Sequence, residues 1–381
     1  MIKRDIIPFI DLSAQQKQLE GKVEFRVNQV LEHGKFILGP EVKELEDTLS
    51  AYVSDASLRH NTITCASGTD ALQLALMAEE VGPGDAVFLP SFTFTATAEV
   101  VVLLGANPVF VDVDQQTFNI DPDDLAEKVA YILKSTELKP RAVIAVDLFG
   151  QPADYTILQP FCSSNNLTLI ADSAQSMGGS LHGKNVGTLA DVTTVSFFPA
   201  KPLGCYGDGG ALFTGSTEKA EIYRSLRSHG KGSEKYEVER IGVNSRLDTI
   251  QAAILLAKLE IFEDEIIARE NLARKYSSLL SRVVEVPHLI SGAKSVWAQY
   301  TIKCKNRERL ISFLSGQNIP TAIYYPRPMH LQEAYKSFSD GINSLPISEN
   351  LSQEVLSLPM HPYMKEEVFD RITKAILSSG V

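Results

Sequence analysis

The chain has few cysteines, a deficit of positive charge and no long apolar segment. Its 381 residues include only four cysteines, which are Cys65, Cys162, Cys205 and Cys304. None of them has the paired spacing of a zinc site or a disulfide framework, so we expect reduced thiols and a cytoplasmic location. The net charge of −11 argues against a general nucleic-acid binder. A site for an anionic small molecule must therefore be built locally, by a few fixed groups.

The apolar residues are dispersed along the chain. No run approaches the roughly 18 consecutive apolar residues that a membrane helix needs. The first residues reach the acid Asp5 before any apolar signal region develops. We therefore expect neither export nor membrane insertion. A content of 44% hydrophobic and 22% charged residues is typical of a globular protein with two domains.

Short apolar runs rich in β-branched residues alternate with helical patterns through the first two thirds of the chain. The predicted strands are 63–66, 86–89, 108–112, 142–147, 168–172 and 192–198. Helices are predicted between them, for example at 70–78 and 96–104. This alternation predicts an α/β fold with a mostly parallel sheet that is covered on both faces.

Helical patterns flank this region on both sides. Before it, one helix is expected to stop at Gly34 and a second to start at Pro40. After it, residues 244–285 have the spacing of one long helix. The remainder predicts a smaller α+β domain, with a strand at 297–302 and helices at 308–314 and 366–377. We accordingly divide the chain into a large domain, 1–255, and a small domain, 256–381.

The chemistry is concentrated in residues 195–210, where an apolar strand leads to Lys201 and then to a glycine-rich segment. Apolar neighbours such as Phe197 and Phe198 would desolvate this lysine, and desolvation lowers the pKa of an amine and favours its nucleophilic, neutral form. That is the property of a lysine that forms a Schiff base. The alternative is a surface lysine at a strand-to-loop junction.

Two further positions at strand ends suit a cofactor that carries a phosphate. Ser67, Gly68 and Thr69 lie between a strand and a helix, where backbone amides and hydroxyls can hold a phosphate, although such a tripeptide can also be a plain helix cap. Asp172 ends an apolar strand and would need a cationic partner such as a protonated pyridine nitrogen, or else would cap the following turn. For His229, His330 and His361 we favour structural roles and no metal site, since no ligand-spaced cluster surrounds them.

Longer motifs make a family resemblance specific over nearly the whole chain. They are residues 37–42, 66–76, 82–85, 90–97, 149–154, 171–175, 196–210 and 242–246. With these motifs the chain resembles the sugar aminotransferases of the DegT/DnrJ/EryC1/StrS family, which are pyridoxal-phosphate enzymes of fold type I, the aspartate aminotransferase fold. It is most similar to enzymes that aminate UDP-2-acetamido-2-deoxy-3-oxo-glucuronate for lipopolysaccharide O-antigen biosynthesis.

The resemblance implies an amino transfer from L-glutamate to a keto sugar, and it implies a role for each matching residue. Lys201 would bind pyridoxal phosphate covalently, and Asp172 would pair with the nitrogen of its ring. The other implied cofactor contacts are Gln175 to the ring oxygen, Phe94 to the ring face, and Ser67, Gly68, Thr69 and Ser196 to the phosphate. In a homodimer with shared sites, Asn244 would reach the neighbouring subunit's phosphate. Arg246 would meet an acidic group of the sugar, as suits a planar bidentate donor.

Two motifs depart from the common family pattern. Where many members have His-Leu-Tyr-Gly, this chain has Asp147 followed by Leu-Phe-Gly, and where many have His-Tyr-Pro it has Tyr324 followed by Tyr-Pro. Tyr324 lies where the family contacts the nucleotide sugar, so another keto sugar, such as a UDP-4-keto or dTDP-3-keto sugar, remains an alternative. A different class of function is a non-catalytic regulator that binds the cofactor, which the presence of Lys201, Asp172, Gln175 and Ser196 opposes.

Overall fold

The computed structural model describes residues 7–54, 59–232, 234 and 236–381. Its centre is a seven-stranded sheet in the order β1-β9-β8-β5-β4-β2-β3. The strands are β1 Asn61–Cys65, β2 Asp85–Pro90, β3 Asn107–Val111, β4 Lys139–Val146, β5 Thr168–Asp172, β6 Ser180–Leu181, β7 Lys184–Asn185, β8 Val192–Ser196, β9 Gly210–Thr214, β10 Ala293–Lys294, β11 Tyr300–Lys303 and β12 Val355–Leu358. Strand β9 is antiparallel to both of its neighbours, whereas the other four pairings in this sheet are parallel. The predicted mostly parallel α/β sheet is therefore confirmed.

Helices cover both faces of this sheet and form much of the C-terminal part. They are α1 Leu12–Gln18, α2 Lys22–His33, α3 Pro40–Val53, α4 Gly68–Ala78, α5 Ala96–Leu103, α6 Pro122–Ser135, α7 Tyr155–Ser164, α8 Thr217–Leu226, α9 Thr249–Leu259, α10 Phe262–Leu280, α11 Arg307–Ser315, α12 Pro346–Glu354 and α13 Glu366–Ser378. Short 3-10 helices cover Leu148–Gly150, Met329–Leu331 and Glu333–Phe338. In the described ranges, no helix is both long and apolar enough to cross a membrane.

The predicted helix boundaries near the N-terminus agree with the structure for identifiable reasons. Gly34 ends α2 with a φ of 67°, a left-handed conformation that favours glycine, and its amide donates to the carbonyl of Val30. Pro40 begins α3, where its missing N–H costs nothing because the first helical amides have no intrahelical acceptor. Both boundaries are thus encoded locally.

The single long helix predicted for residues 244–285 is wrong. The structure has α9 and α10, and they are separated by Glu260 and Ile261. The amides of these two residues donate to carbonyls three positions back, at Ala257 (3.3 Å) and Lys258 (3.2 Å), so the last turn of α9 tightens and the α-helical hydrogen-bond pattern ends. No glycine or proline marks the break, so the sequence pattern does not reveal it.

Strand β11 begins later than the predicted strand at 297–302. Trp297 has a φ of +52°, which lies outside the extended region, so the strand cannot include it. Strand β11 instead pairs with β12 in an antiparallel ribbon. The predicted helices at 308–314 and 366–377 are confirmed as α11 and α13.

The buried side chains form several clusters, and one of them lies away from the central sheet. This cluster joins the second half of α10 to β11, β12 and α13 through residues that include Tyr276, Tyr300, Leu358 and Phe369. By contrast, Phe262 and Ile266, at the start of α10, pack with α3 and β9. The division of the chain between residues 255 and 256 stays a prediction.

Candidate active site

Three strand ends and one strand start meet at one edge of the central sheet. Strand β8 ends at Ser196 and β5 ends at Asp172, and both strands run in the same direction. The antiparallel strand β9 begins there with Gly210, which pairs with Ser196 on one side and with Cys65 of β1 on the other. Ligands of open α/β sheets bind at such carboxyl ends, so this edge is the candidate active site.

Two glycines allow the start of α4 to contact this edge very closely. A Cβ atom added to Gly68 would lie 2.7 Å from Cβ of Ser196, and one added to Gly210 would lie 2.3 Å from the carbonyl oxygen of Ser67. Both distances are too short for non-bonded atoms. Only glycine therefore lets the helix start and the strand ends come together in this way.

The start of α4 has the properties of an anion site. Ser67 caps the helix, because its Oγ accepts from the amide of Asp70 at 3.0 Å. The same hydroxyl donates to Oδ1 of the Asp70 carboxylate at 3.1 Å. The plain-cap interpretation thus describes the Ser67 side chain in this structure. The helix geometry still leaves the amides of Gly68 and Thr69 without intrahelical acceptors, and the helix dipole adds a partial positive charge. Together these groups suit a phosphate.

Asp172 is a buried carboxylate with few partners. It is only 7% exposed, its Oδ2 accepts from Oγ1 of Thr97 at 2.9 Å, and its Oδ1 accepts from the amide of Ala174 at 3.3 Å. Burial raises the pKa of this carboxyl, while the Thr97 hydroxyl, the Ala174 amide and the Lys201 charge oppose that shift. A cationic ring nitrogen would stabilise the ionised form.

Lys201 follows strand β8 in the loop that leads to β9. Its amide donates to the carbonyl of Phe198 at 2.9 Å, which turns the chain back towards the sheet edge. Burial lowers the pKa of its amine, and the charge of Asp172 offsets part of this shift. The structure thus brings Lys201 and Asp172 within electrostatic reach of each other, with an amine more easily deprotonated than that of a free lysine.

Gln175 and Phe94 are linked through Tyr325. Gln175 is buried, and its Oε1 accepts from the amide of Phe149 at 2.8 Å, which leaves Nε2 directed at the hydroxyl of Tyr325, 3.5 Å away. The ring of Tyr325 lies 6.4 Å from that of Phe94, which is 56% exposed. An exposed aromatic face beside a fixed amide suits a planar ligand.

Sequence reasoning missed Thr97 and Tyr325. Thr97 is the last residue of the motif at 90–97, and Tyr325 directly follows Tyr324. Their importance depends on contacts with Asp172 and Gln175, which are 75 and 150 residues away along the chain. No local sequence pattern predicts contacts between residues so far apart in the chain.

Asp147 is a structural residue in this fold. Its buried carboxylate accepts from the hydroxyls of Tyr155, Ser173 and Ser176 and from the amide of Ala153, at distances of 2.6 to 2.9 Å. Burial nevertheless raises its pKa to about 6. The segment 173–176, which carries Gln175, is therefore tied to the end of β4 by this carboxylate.

Asn244, Arg246 and Tyr324 lie in loops, outside the strand ends and the helix start that form this edge. Asn244 is exposed and Arg246 is half-buried, and Ser245 between them is buried with its Oγ accepting from the amide of Ala66 at 3.2 Å. Arg246 forms no ion pair with any residue that the structure describes. The ring of Tyr324 packs edge-on against Phe9, with centroids 6.5 Å apart. Their predicted contacts with a substrate or a neighbouring subunit stay predictions.

His330 has polar partners within the fold, which agrees with a structural role, whereas the predictions for His229 and His361 stay predictions. Nδ1 of His330 lies 2.6 Å from Oγ of Ser91, and Nε2 lies 3.3 Å from Glu349, so this ring ties the end of β2 to α12. His361 is buried, and burial lowers its pKa. Within the described ranges, no group of three or more His, Cys, Asp or Glu side chains is arranged to hold a metal ion.

The assembled residues fit one kind of ligand. The edge combines an anion site at the start of α4, a buried lysine with a lowered pKa, a buried carboxylate whose nearest cationic group is that lysine, and an exposed aromatic ring. A group with a phosphate, an aldehyde and a protonated ring nitrogen would satisfy all of these at once. Pyridoxal phosphate, which the sequence resemblance implies, has these three features.

The comparison with protein families agrees with this geometry. Residues 18–377 match the model of the DegT/DnrJ/EryC1/StrS aminotransferase family. The chain belongs to this family. Nearly the whole of this aminotransferase is covered by the match, so the family predicted from the sequence motifs is confirmed.

Individual relatives of this aminotransferase extend over almost its full length. It is 46% identical over 360 residues to the UDP-2-acetamido-2-deoxy-3-oxo-D-glucuronate aminotransferase of Pseudomonas aeruginosa, covering 94% of this chain and 96% of that protein. It is 42% identical over 365 residues to the pleiotropic regulatory protein of Geobacillus stearothermophilus, covering 95% of each. The predicted resemblance to the first of these enzymes is confirmed.

Solved structures share the fold of this aminotransferase. A DegT/DnrJ/EryC1/StrS aminotransferase from Brucella abortus superposes with a TM-score of 0.95 and 48% identity, over 98% of this chain and 99% of that one. The ntda protein from Bacillus subtilis, solved with bound cofactor PMP, gives a TM-score of 0.89 and 29% identity over 100% of this chain and 86% of that one. The predicted fold type I is confirmed.

Proposed function

We propose that this aminotransferase uses pyridoxal phosphate to move an amino group from L-glutamate to the 3-keto group of UDP-2-acetamido-2-deoxy-3-oxo-glucuronate. The observation that carries the proposal is the pair of Lys201 and Asp172 beside the anion site at the start of α4. The name of the 46% identical relative supports this choice of sugar. Such a reaction would serve lipopolysaccharide O-antigen biosynthesis in the cytoplasm.

Lys201 is the proposed acid–base group as well as the attachment point. Bound pyridoxal phosphate supplies an aldehyde that holds the migrating amino group and a ring that accepts electrons from a breaking C–H bond. Burial lowers the pKa of Lys201, which favours the neutral form of Nζ that would take the proton from the α-carbon of the amino-acid donor. Nζ would pass that proton to the C4′ position of the cofactor, and in the second half-reaction it would take a proton back from the same position and deliver it to the former carbonyl carbon of the sugar.

Asp172 is proposed to keep the cofactor ring electron-poor. Its carboxylate would hold a proton on the ring nitrogen by a charge-assisted hydrogen bond, which is stronger than a neutral one. The hydroxyl of Thr97, which donates to Oδ2 of Asp172 at 2.9 Å, would fix the direction of that carboxylate. The remaining oxygen, Oδ1, has only the longer contact with the amide of Ala174, at 3.3 Å.

The other proposed cofactor contacts separate into a phosphate group and a ring group. The phosphate would be held by Ser67, Gly68, Thr69 and Ser196. Asn244 of a neighbouring subunit would complete this phosphate site. Phe94 would cover the ring, and Nε2 of Gln175 would donate to the ring oxygen. The exposed position of Asn244 supports a role outside its own subunit. We therefore propose a homodimer with shared active sites.

The proposed sugar contacts come from Arg246 and Tyr324. An acidic sugar nucleotide would be repelled by a chain with a net charge of −11 unless a fixed cation met it. Arg246 has no ion-pair partner in the described part of the chain, so its guanidinium is available for a bidentate contact with a carboxylate. Tyr324 replaces a common family histidine, and it would contact the same sugar. The alternative acceptors are a UDP-4-keto sugar and a dTDP-3-keto sugar.

A second candidate is a regulator that binds the cofactor without turnover. The specific observation in its favour is the 42% identical relative, which is named a pleiotropic regulatory protein. The presence of Lys201, Asp172, Gln175 and Ser196 opposes it, because a protein that only senses the cofactor does not need both a nucleophile and a ring-nitrogen partner.

Product analysis distinguishes these candidates. The purified protein with pyridoxal phosphate and L-glutamate is incubated with UDP-2-acetamido-2-deoxy-3-oxo-glucuronate generated in situ, and in parallel with a UDP-4-keto and a dTDP-3-keto sugar. We expect mass analysis to show an amino sugar from the first acceptor at a kcat/KM at least about 100-fold above the others, which corresponds to about 2.7 kcal/mol. Turnover of another acceptor alone would overturn the sugar assignment, and no turnover of any acceptor would favour the regulator.

A further inference from the structure

A buried lysine contacts Tyr206, in the loop that follows Lys201. Lys258 belongs to α9 and is 2% exposed, and its Nζ lies 4.4 Å from the centre of the Tyr206 ring. Among residues 7–54, 59–232, 234 and 236–381, no atom forms a hydrogen bond with this Nζ. The ring face of Tyr206 thus lies against the buried ammonium, which has no hydrogen-bond acceptor among these residues.

The usual partner of a buried lysine is a carboxylate, but here the carboxylate on α10 is engaged elsewhere. Glu265 accepts from Nε2 of Gln15 at 2.8 Å and from the hydroxyl of Tyr363, and it lies 3.7 Å from Nη1 of Arg269. Burial lowers the pKa of Lys258 to about 8, although Glu265 and Cys205 both oppose the shift. The fold therefore keeps a cation that is expensive to bury and only partly compensated.

Lys258 and a second residue of α9 both contact Tyr206, in the loop after Lys201. Gln251 lies seven residues earlier, two turns along the helix and on the same face, and its Oε1 accepts from the amide of Tyr206 at 2.9 Å. The amide of Cys205 donates to the carbonyl of Phe197 at 2.8 Å. The loop after Lys201 is thus fixed at Cys205 by the sheet edge and at Tyr206 by α9.

We propose that Lys258 is a positioning residue for Lys201: its ammonium holds the ring of Tyr206 and thereby fixes the loop of residues 201–208. The proposal rests on the proposed role of Lys201. A cation over an aromatic face is attracted by the ring, and the attraction is larger where water is excluded. An apolar side chain of the same length would fill the space at a lower desolvation cost but would lack the attraction of a full charge to the ring face, keeping only a weaker contact. The cation is therefore retained for the geometry of the loop and not for stability.

The decisive variant is Lys258→Met, which keeps the shape and removes the charge. In the holoenzyme at pH 7 we expect the melting temperature to rise by a few degrees, because an unfavourable buried charge is removed. Over residues 201–208 we expect hydrogen exchange to become about tenfold faster, and we expect kcat to fall about tenfold with KM changed less than twofold. A packing role would lower stability and activity together, so the opposite signs identify positioning.

The pH dependence of the stability difference provides an independent readout. The pKa of Lys258 is lower in the folded state, about 8, than in the unfolded chain, so the penalty for its charge is present below pH 8 and fades as the pH rises. The gain in melting temperature of Lys258→Met over the natural protein should therefore shrink between pH 7 and pH 10. A gain that is constant over this range would overturn the charged state of Lys258.

Two further variants serve as controls. Lys303 is also buried, but its Nζ donates to the carbonyl of Gln115 at 3.0 Å and pairs with Glu285, so Lys303→Met should lower the melting temperature and leave exchange at 201–208 unchanged. Lys258→Arg keeps a cation and should retain most of the protection of the loop.

The outcomes separate this proposal from the proposed function. Unchanged kcat and unchanged loop exchange in Lys258→Met would overturn the positioning role, as would an arginine variant that behaves like the methionine variant. Turnover that survives in Lys201→Ala would instead overturn the role of Lys201, while the exchange measurements would still report whether Lys258 holds the loop.

Discussion

The candidate active site has two halves that differ in how the fold holds them. We define the inner half as Ser67, Gly68, Asp172, Ser196 and Lys201, which lie at the strand ends and at the start of α4. We define the outer half as Asn244, Arg246 and Tyr324. In the inner half, Asp172 is 7% exposed and Gly68 is in tight contact with Ser196. In the outer half, Asn244 is exposed and Arg246 is half-buried and has no ion-pair partner in the described ranges.

The difference indicates which contacts need a ligand. Strand pairing and glycine contacts fix the inner half in a single chain, because a shift of one residue would disrupt the whole register of the sheet. The outer half consists of an amide, a guanidinium and a phenol in loops outside the central sheet, and such polar side chains can bind anions from solution or from a second subunit. We therefore expect the inner half to tolerate little change, and the outer half to affect only the step in which its ligand takes part.

The largest effect is expected for Lys201. Lys201→Ala should reduce turnover by more than about 10⁴-fold, because both the covalent attachment and the proton transfer are lost. Lys201→Arg should fail similarly, since a guanidinium stays protonated and cannot attack a carbonyl. Product formation followed by mass analysis measures the effect. A borohydride-reduced cofactor adduct that maps to a different lysine would contradict the assignment.

Asp172 is expected to have the next largest effect. Asp172→Asn keeps the shape and removes the charge, so we expect proton transfer in a single turnover to slow by about 10²- to 10⁴-fold. Thr97→Val, which removes the hydroxyl that donates to Oδ2, should slow it less, by about tenfold. Near-normal single-turnover kinetics in Asp172→Asn would show that the inner half does not act through this carboxylate.

Arg246 tests the outer half. Arg246→Ala should weaken the half-reaction with the acidic sugar by about 2–4 kcal/mol in kcat/KM and leave the glutamate half-reaction almost unchanged. Arg274→Ala removes an exposed arginine far along α10 and serves as the matched control. An arginine that only supports the fold would impair both half-reactions equally, and that result would exclude the proposed contact with the sugar.

Asp147, whose carboxylate holds the segment that carries Gln175, should make the free energy of unfolding depend on pH. The pKa of Asp147 is raised to about 6, above that of an aspartate in the unfolded chain, so its contribution to stability is full below about pH 4 and is lost as the pH rises through 6. The free energy of unfolding of the natural protein relative to Asp147→Asn should decrease by on the order of 2–3 kcal/mol from pH 4 to pH 7. Urea unfolding curves measure this, and parallel pH profiles for the two proteins would refute it.

The smallest effect is expected where packing alone changes. Gly68→Ala places a Cβ 2.7 Å from Cβ of Ser196, so the start of α4 must move away from the strand ends, at a cost of about 1–3 kcal/mol in cofactor affinity. Gly82→Ala is the matched control, because its Cβ would meet nothing closer than 3.9 Å. Cofactor titration by absorbance compares the two. Equal affinities would mean that the close approach of Gly68 is not needed to bind the phosphate.

Sequence reasoning recovered much of the inner half because its signals are local. An apolar run that ends in a polar or charged residue marks a buried strand and its carboxyl end, and this pattern pointed to Asp172 and Lys201, whereas Ser196 was implied by the family resemblance. The alternation of strands with helices predicted the parallel sheet for the same reason. Gly34 and Pro40 similarly encode their own helix boundaries, since each acts through its own backbone conformation.

Only the tertiary structure could decide the features that depend on distant contacts. The donation from Thr97 to Asp172 spans 75 residues, and the approach of Lys258 to Tyr206 joins a helix to a loop. The break between α9 and α10 contains no glycine or proline, so hydrophobic periodicity alone does not predict it. A short sequence fixes backbone preferences over a few residues, whereas the partner of a buried polar group is chosen by the packing of the whole chain.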